Sequence, residues 1–586
     1  MRNMKYSLLS LTLFGIFLSS CSDFLTENPR SLTSTSESFS NVTYATKSVM
    51  GVYRSMVGGQ GYGSRLSLIF PYDNDEMWST PRNGVPDNGS RDIARYDVRP
   101  THAYLDGVFR NLFTGIERAN LCIKYIPKMA DYNNGNDNVK SQLRRLLGES
   151  LTLRAQYYFE AIRIWGDLPA QFNPSEDVLD LNLPKTDRDV IYERLLDDLK
   201  IAEDLVPWRR TEGVSDDERI TQGAVRGLRA RIALFRGGYS LRRETNKMER
   251  RDNYKQFYQI ARDECAEIMR HRDIHDLNPS FEAVFKDAIN GHTIEANGEV
   301  MFEVAMAGGN FDLSSSFGYT NGPKVYKIGN QAIMPLPTYF YAFDPMDQRR
   351  DVTIAPYQIN TNGQKELLEL AGMADGKFRR DWIKADVPLS TRLQYSDVNW
   401  PILRFSDVLL MFAEAENELA GKPTPEAIGA FEEVRKRAFG GNTAVMGTTP
   451  VTYKDFFDAI VKERSLEFGS EGIRKYDLIR WNLLGKKLQE ARDNLLKMKS
   501  KEAPYEFVPS FLYYKKGAEM EIFNSFYEPS PEEVPEGYLK VAWTASIIDR
   551  VLGWIAPNFQ ENHSELIPLP QTAIEANKNL TQDYGY

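Results

Sequence analysis

Cysteine is scarce, with three in 586 residues. That excludes a disulfide-framed scaffold and a zinc module built on cysteine pairs. Cys122 and Cys265 fall in helix-like stretches, where they could pair but are expected as buried free thiols. Long apolar runs are also missing. The one that exists, residues 6–18, is too short for an ordinary transmembrane helix. Basic residues are in deficit: 72 Lys and Arg face 81 Asp and Glu, for a net charge of −9. A chain of that balance carries no electrostatic footprint for nucleic acid. Strong catalytic signatures are absent as well, with no Walker loop and no GxSxG elbow. His271 and His275 have the i, i+4 spacing of two zinc ligands, but no Glu follows the first as in HExxH. They are expected at a solvated helix end, with no metal and no cofactor assigned. Glu414, Glu416 and Glu418 alternate, so they do not share one helical face as a catalytic dyad would. A solvated edge or structural pairing is the expected role.

What is present begins at the N-terminus. Arg2 and Lys5 precede the apolar run, and Ser19-Ser20 sit just before Cys21. Basic, apolar and small-residue regions in that order make a secretory signal peptide. A Cys directly after Leu18-Ser19-Ser20 resembles a bacterial lipobox, whose cleavage leaves the Cys first and lipidated. Residues 1–20 are therefore expected to be a lipoprotein signal peptide. Residues 21–40, rich in Ser and Thr, would be the lipid anchor and tether. Residues 41–586 would form a single α-helical domain with loop insertions.

Helical periodicity dominates beyond the tether. Leu147, Leu151, Ala155, Tyr158, Ile162 and Trp165 fall on one face, and Gly166 to Pro169 stop that helix. Ile191 to Ala202, Ala224 to Phe235 and Phe257 to Ile268 make three more such faces. Further helices are expected near 37–57, 103–127, 402–420, 425–438, 453–469 and 474–490. Paired amphipathic helices must stack to bury their apolar faces, so a mainly α, tetratricopeptide-like right-handed stack of helix pairs is expected. Long segments without helical period interrupt it near 60–100, 275–335, 355–400 and 498–565. Their aromatic content argues against disorder, and loops of that length are commonly functional.

Aromatic residues make up 12% of the chain, and two loops concentrate them beside polar groups. The first holds Asp73, Asn74, Asp75, Glu76 and Trp78, then Arg82 and Asn83. The second holds Asn310, Phe311, Asp312, Phe317, Tyr319, Asn321, Lys324 and Tyr326. A sugar has an apolar C–H face, which a Trp or Tyr ring covers, and a hydroxyl rim, which Asp, Asn and Arg reach. The candidate ligand-binding set is Asp73, Asn74, Asp75, Trp78, Arg82, Asn83, Phe317, Tyr319, Asn321, Lys324 and Tyr326. Any single one of these aromatics is better read as pinning its loop to the helical body. The loops are better candidates as sets.

A series of motifs then appears in order. Leu147-Gly148-Glu149-Ser150-Leu151-Thr152-Leu153-Arg154-Ala155-Gln156-Tyr157-Tyr158-Phe159 runs on to Trp165-Gly166-Asp167-Leu168-Pro169. Arg219-Ile220-Thr221 and Ala230-Arg231-Ile232 follow, then Pro335-Leu336-Pro337 with Phe343-Asp344-Pro345. Pro401-Ile402-Leu403-Arg404-Phe405-Ser406-Asp407 comes next, with Glu463-Arg464-Ser465-Leu466-Glu467-Phe468 and Arg474-Lys475-Tyr476-Asp477. The chain closes with Ile567-Pro568-Leu569-Pro570 and Asn579-Leu580-Thr581-Gln582-Asp583-Tyr584-Gly585-Tyr586. Over essentially the whole mature chain this resembles the SusD/RagB family of Bacteroidetes outer-membrane lipoproteins. Two departures occur. The end reads Gln-Asp-Tyr-Gly-Tyr where Gln-Asn-Pro-Gly-Tyr is common, which is expected to be neutral. Only Asp23 and Glu27 supply acid after Cys21, a modest signal for surface display.

The resemblance implies a SusD-like fold whose long aromatic-rich loops form the ligand face. Arg404, Asp407, Glu414, Arg464, Glu467, Arg474 and Arg480 are expected to tie helices together rather than touch ligand. The implied function is a non-catalytic, cell-surface glycan-binding lipoprotein of the outer membrane. It would deliver oligosaccharides as a lid to a SusC-like TonB-dependent transporter. A peptide-binding member of the same family is the alternative. A surface glycoside hydrolase, drawing on Asp73, Asp75 and Glu76, and a scaffold without small ligand are weaker readings.

Overall fold

The computed structural model describes residues 35–79, 86, 88–211, 218–383 and 394–586. Cys21, the signal segment, most of the tether, Arg82 and Asn83 lie outside the described residues. Residues Thr35–Ser38, placed in the tether by composition, form one helical turn.

Helix α1 spans Val42–Tyr53, where the Asn41 side chain accepts from the Tyr44 N–H. This is the local reason the helix starts there, since a side-chain oxygen at the cap satisfies an otherwise unpaired backbone donor. α2 is Ala103–Tyr125. α3, Asp137–Trp165, is capped by Asn136 and ends at Gly166, whose φ of 80° favours glycine. From Leu146 to Ile162 every side chain of α3 is buried, as in a helix packed on all sides. α4 is Arg188–Ala202, α5 Gln222–Gly237 and α6 Tyr254–Met269. α7 is Phe405–Ala420, α8 Pro425–Ala438 and α9 Tyr453–Phe468. α1 packs on α2 and α3, and from α2 to α8 each helix packs against the next, with α9 also against α7.

Two expected helices differ. Residues 402–404 belong to a strand. Trp400–Arg404 pairs antiparallel with Val300–Val304, and the helix starts only at Phe405. Pro401 and β-branched Ile402 suit that extended start. The stretch 474–490 is split into α10, Arg474–Arg480, and α11, Leu484–Ser500. Asn482 between them takes φ 56°, a conformation that ends a helix. His275 is not at a solvated helix end. It is fully buried, its Nδ1 lies 3.0 Å from the Gly298 carbonyl, and Trp208 stacks on neighbouring His271 at 4.0 Å. Both Cys122 and Cys265 are free and buried, and burial pushes the Cys122 thiol up to about 12.

One apolar cluster runs from Ala45 to Leu569, and buried ion pairs cross it. Arg404 contacts Glu299 at 2.7 Å, Glu467 at 2.9 Å and Glu471 at 2.8 Å. Arg464 joins Asp407 of α7 at 2.5 Å to Asp477 of α10 at 2.7 Å. Arg480 bridges Asp477 and Glu414. The motif charges are thus bolts between helices. At the C-terminus the Tyr584 hydroxyl accepts from Arg188 at 2.6 Å and Asp583 pairs with Lys185. The closing motif therefore clasps the start of α4.

Candidate functional site

The site is built where a glycine-rich segment, Gly58-Gly59-Gln60-Gly61-Tyr62-Gly63, meets the second aromatic loop. Gly59 donates to the Phe311 carbonyl at 2.7 Å, and Ser316 donates to the Gly63 carbonyl at 2.8 Å. A Cβ on Gly59 would lie 1.9 Å from the Phe311 ring, and one on Gly63 2.1 Å from the Ser314 carbonyl. Only glycine permits this approach of backbone to loop. The segment then enters a π-helical turn, Arg65–Ile69, a geometry that recurs at functional sites.

The first loop reaches the second through two strands. The strand Met77–Ser79 pairs antiparallel with Ile333–Pro335, placing Trp78 opposite Met334. The two loops are brought together as sets, but most predicted members face inward. Trp78 is fully buried and packs on Trp554 at 5.2 Å. Asp73 is buried at φ 63°, and its Oδ1 accepts from the Ser79 N–H at 3.2 Å. Asn74 accepts from the Glu76 and Met77 N–H groups, closing a turn. Asp75 pairs with Arg474 at 2.6 Å. Phe317 is buried between Phe378 and Trp400, each at 5.1 Å. Asn321 is buried and donates to Asp375 at 2.7 Å. The structure places these residues mostly inward, where they hold their loops, although among the described residues Trp78 Nε1 and Asp73 Oδ2 are buried without a hydrogen-bond partner. Tyr319, Lys324 and Tyr326 are half-exposed. Tyr326 takes φ 51°, and its N–H donates to Ile359.

The same burial shifts the carboxyls of this loop. Burial pushes Asp73 up to about 8. Burial raises Glu76 to about 8 against the pull of Arg474. Burial would raise Asp75 too, but Arg474 holds it below the usual carboxylate range.

Beside these anchors lies an open cleft of ≈160 Å³. Its rings are Tyr104 at the start of α2, Phe311, and Tyr395, which meets Phe311 edge-on at 6.1 Å. All three are half-buried. Tyr395 is held by its neighbour Ser396, which exchanges backbone hydrogen bonds with Ser315 at 2.7 and 2.9 Å. The Arg65 guanidinium lies 3.2 Å from the Tyr104 ring centre and 5.8 Å from that of Phe311. Ser64, Ser90, Thr320, Asn330 and Gln394 add hydroxyl and amide groups, and among the described residues no carboxylate lines the cleft. Rings beside neutral hydrogen-bonding groups can hold a ligand with an apolar face and a polar rim. Sequence reasoning assigned no role to Arg65, Tyr104 or Tyr395, and placed Phe311 only in its loop set. The glycine run ahead of Arg65 was the available signal.

A family model described as the SusD family matches residues 312–586, and one described as starch-binding associating with outer membrane matches residues 30–234. SusD-like protein P25 of Formosa agariphila is 26% identical over 503 residues, covering 79% of this chain and 88% of that protein. A SusD homolog from Bacteroides thetaiotaomicron superimposes with TM-score 0.75 at 22% identity, covering 93% of this chain and 97% of its own. Surface glycan-binding protein A from the same organism, in complex with laminarihexaose, superimposes with TM-score 0.62 at 19% identity, covering 92% and 99%. At these identities the two structural likenesses establish the fold. Among the described residues no helix is long and apolar enough to cross a membrane.

Proposed function

This chain belongs to the SusD/RagB family of Bacteroidetes, and from that premise we propose that it is a glycan-binding protein that breaks no bond. The observation that carries the reading is the cleft of Tyr104, Phe311 and Tyr395 around Arg65, lined by hydroxyl and amide groups. Stacking would hold the sugar faces and the polar rim their hydroxyls. The relative complexed with laminarihexaose supports the reading by fold and ligand class. The lack of a lining carboxylate among the described residues, and the burial of Asp73 and Glu76, weigh against hydrolysis, which needs two carboxyls about 5–10 Å apart across the ligand.

The helices that pack each on the next would form a tetratricopeptide-like right-handed stack, with the irregular segments as its ligand face. Tyr319, Lys324 and Tyr326, half-exposed on the second loop, remain candidate contacts beyond the cleft, as do Arg82 and Asn83. Lipidated at Cys21, the protein would sit on the outer membrane facing out and pass oligosaccharide to a SusC-like TonB-dependent transporter. Shallow stacking sites of a few sugars bind in roughly the micromolar to millimolar range, which suits a carrier that must release its load.

The test is affinity electrophoresis of the mature chain, from Ser22, across plant, microbial and host polysaccharides. Retardation by one glycan class without release of reducing ends supports the proposal. Retardation by none moves the weight to peptides.

A further inference from the structure

Among the described residues the Arg65 guanidinium is a cation without a counter-ion: it makes no salt bridge, and its Nη1 is buried with no hydrogen-bond partner. Arg404, Arg464, Arg474 and Arg480 are bolted to carboxylates, and buried Arg379 is met by backbone carbonyls and the Tyr357 hydroxyl. Among the described residues the Arg65 side chain has neither kind of partner, and it falls in the cleft. Asp312, next to Phe311, is exposed and absent from the lining, and Asp397 is occupied by His292 at 3.6 Å.

An arginine keeps its charge in any protein environment. Burying one costs free energy unless an anion or several acceptors meet it. Tyr104 and Phe311 cover the flat face of this guanidinium and leave its N–H edge to seek acceptors. The groups best matched to such an edge are carboxylate, phosphate and sulfate, which take two parallel hydrogen bonds. With no carboxylate in the lining among the described residues, an anionic ligand meets no repulsion from it. The cleft is thus a positive spot on a chain of net charge −9.

We propose that the cleft selects acidic glycans, with Arg65 receiving a uronate carboxylate or a sulfate ester while the rings hold the sugar face. This rests on the glycan-binding reading and adds the class of sugar. Tyr104 and Tyr395 flank the charge rather than neutralise it, so the selectivity would come from Arg65 itself.

The experiment is calorimetry of the mature chain with matched ligand pairs. One pair is an oligouronide and its carboxyl-reduced form, and the second a sulfated oligosaccharide and its desulfated form. Laminarin and xyloglucan oligosaccharides serve as neutral references. The expected result is that one acidic ligand binds at least about tenfold more tightly than its neutral partner, as a charge-assisted hydrogen bond implies. Which pair responds separates carboxylate from sulfate. Arg65→Gln should erase the preference and Arg65→Lys keep part of it, while melting temperatures report whether the variants fold. If Arg65→Gln does not fold, the ligand pairs on the native chain still decide. Equal or tighter binding of the neutral partners, or of the neutral references, overturns the inference and leaves glycan binding standing. A preference for acidic ligands that survives Arg65→Gln overturns it too. Binding of no glycan, neutral or acidic, ends both proposals.

Discussion

Arg404→Ala removes the centre of the largest buried charge network. Arg404 is 2% exposed, and its side chain donates to Glu299, Glu467, Glu471 and Ser406. Each carboxylate keeps another cation: Arg437 for Glu299 and Glu467, and Lys377 for Glu471. No carboxylate is therefore stranded alone, but three share too little positive charge in a water-poor core. Breaking a buried pair by removing one partner costs about 3–5 kcal/mol, and the vacated arginine stem adds to that. With an unfolding entropy of about 2.1 cal/mol/K per residue, a chain of this size gains roughly 1.2 kcal/mol of unfolding free energy per degree below Tm, so the loss corresponds to roughly 3–4 °C. Burial would raise Glu467, yet Arg437, Arg404 and Arg349 hold it well below the usual carboxylate range. Without Arg404 that hold weakens. Protonation then relieves part of the repulsion, and the deficit should be smaller at pH 4.5 than at pH 7.5. Differential scanning calorimetry at both pH values checks this, with ligand affinity measured below Tm. A Tm change under about 1 °C, or a deficit that grows in acid, would refute the reasoning.

Three further predictions use other parts of the molecule. Trp78→Ala should cost about 3–5 kcal/mol of stability and leave the affinity of the folded protein unchanged, because the ring packs on Trp554; thermal melts beside calorimetric titration decide between anchor and ligand platform. Phe311→Ala should do the reverse, weakening glycan binding by about 1–2 kcal/mol, roughly tenfold, with little change in Tm, since the ring is half-exposed at the cleft. Burial lowers His275 from 6.5 to about 4, so its neutral form is favoured in the folded state and the stability it carries is present above pH 6.5 and lost as pH falls to about 4. At 1.36 kcal/mol per unit that window is worth about 3 kcal/mol, and His275→Asn should flatten the denaturation profile across it.

The helices were legible because their apolar faces repeat at helical spacing and their caps are local. Asn41, Asn136, Thr424 and Thr452 each accept a backbone N–H at the start of a helix. The structural role of Arg404, Asp407, Arg464 and Arg480 was legible from the family motifs, and the ion pairs bear it out. The strand at Trp400–Arg404 was not, because its pairing partner, Val300–Val304, lies some hundred residues upstream and leaves no local period. Asn482 broke a helix through one backbone angle that composition does not report. His275 looked like a surface residue because the Gly298 carbonyl and Trp208 that enclose it come from elsewhere in the chain.

The ligand face was legible as a pair of loops and not as residues, and the reason is physical. A long irregular loop must itself be held, and its aromatic and amide side chains are the means. Trp78, Phe317 and Asn321 are therefore spent inside. Composition cannot separate a ring that anchors from one that faces solvent, since both enrich the same segment. What separates them is the neighbour. Gly59 and Gly63 press the backbone against residues 311–316, so Phe311 cannot sink beneath the segment that precedes Arg65. Ser396 ties Tyr395 to the same loop from the far side, and Tyr104 arrives on a helix. Three separate stretches thus converge on one guanidinium. The convergence depends on glycines that carry no side chain, so any substitution at Gly59 that moves Phe311 should disturb the cleft while the buried anchors, and with them the fold, stay in place.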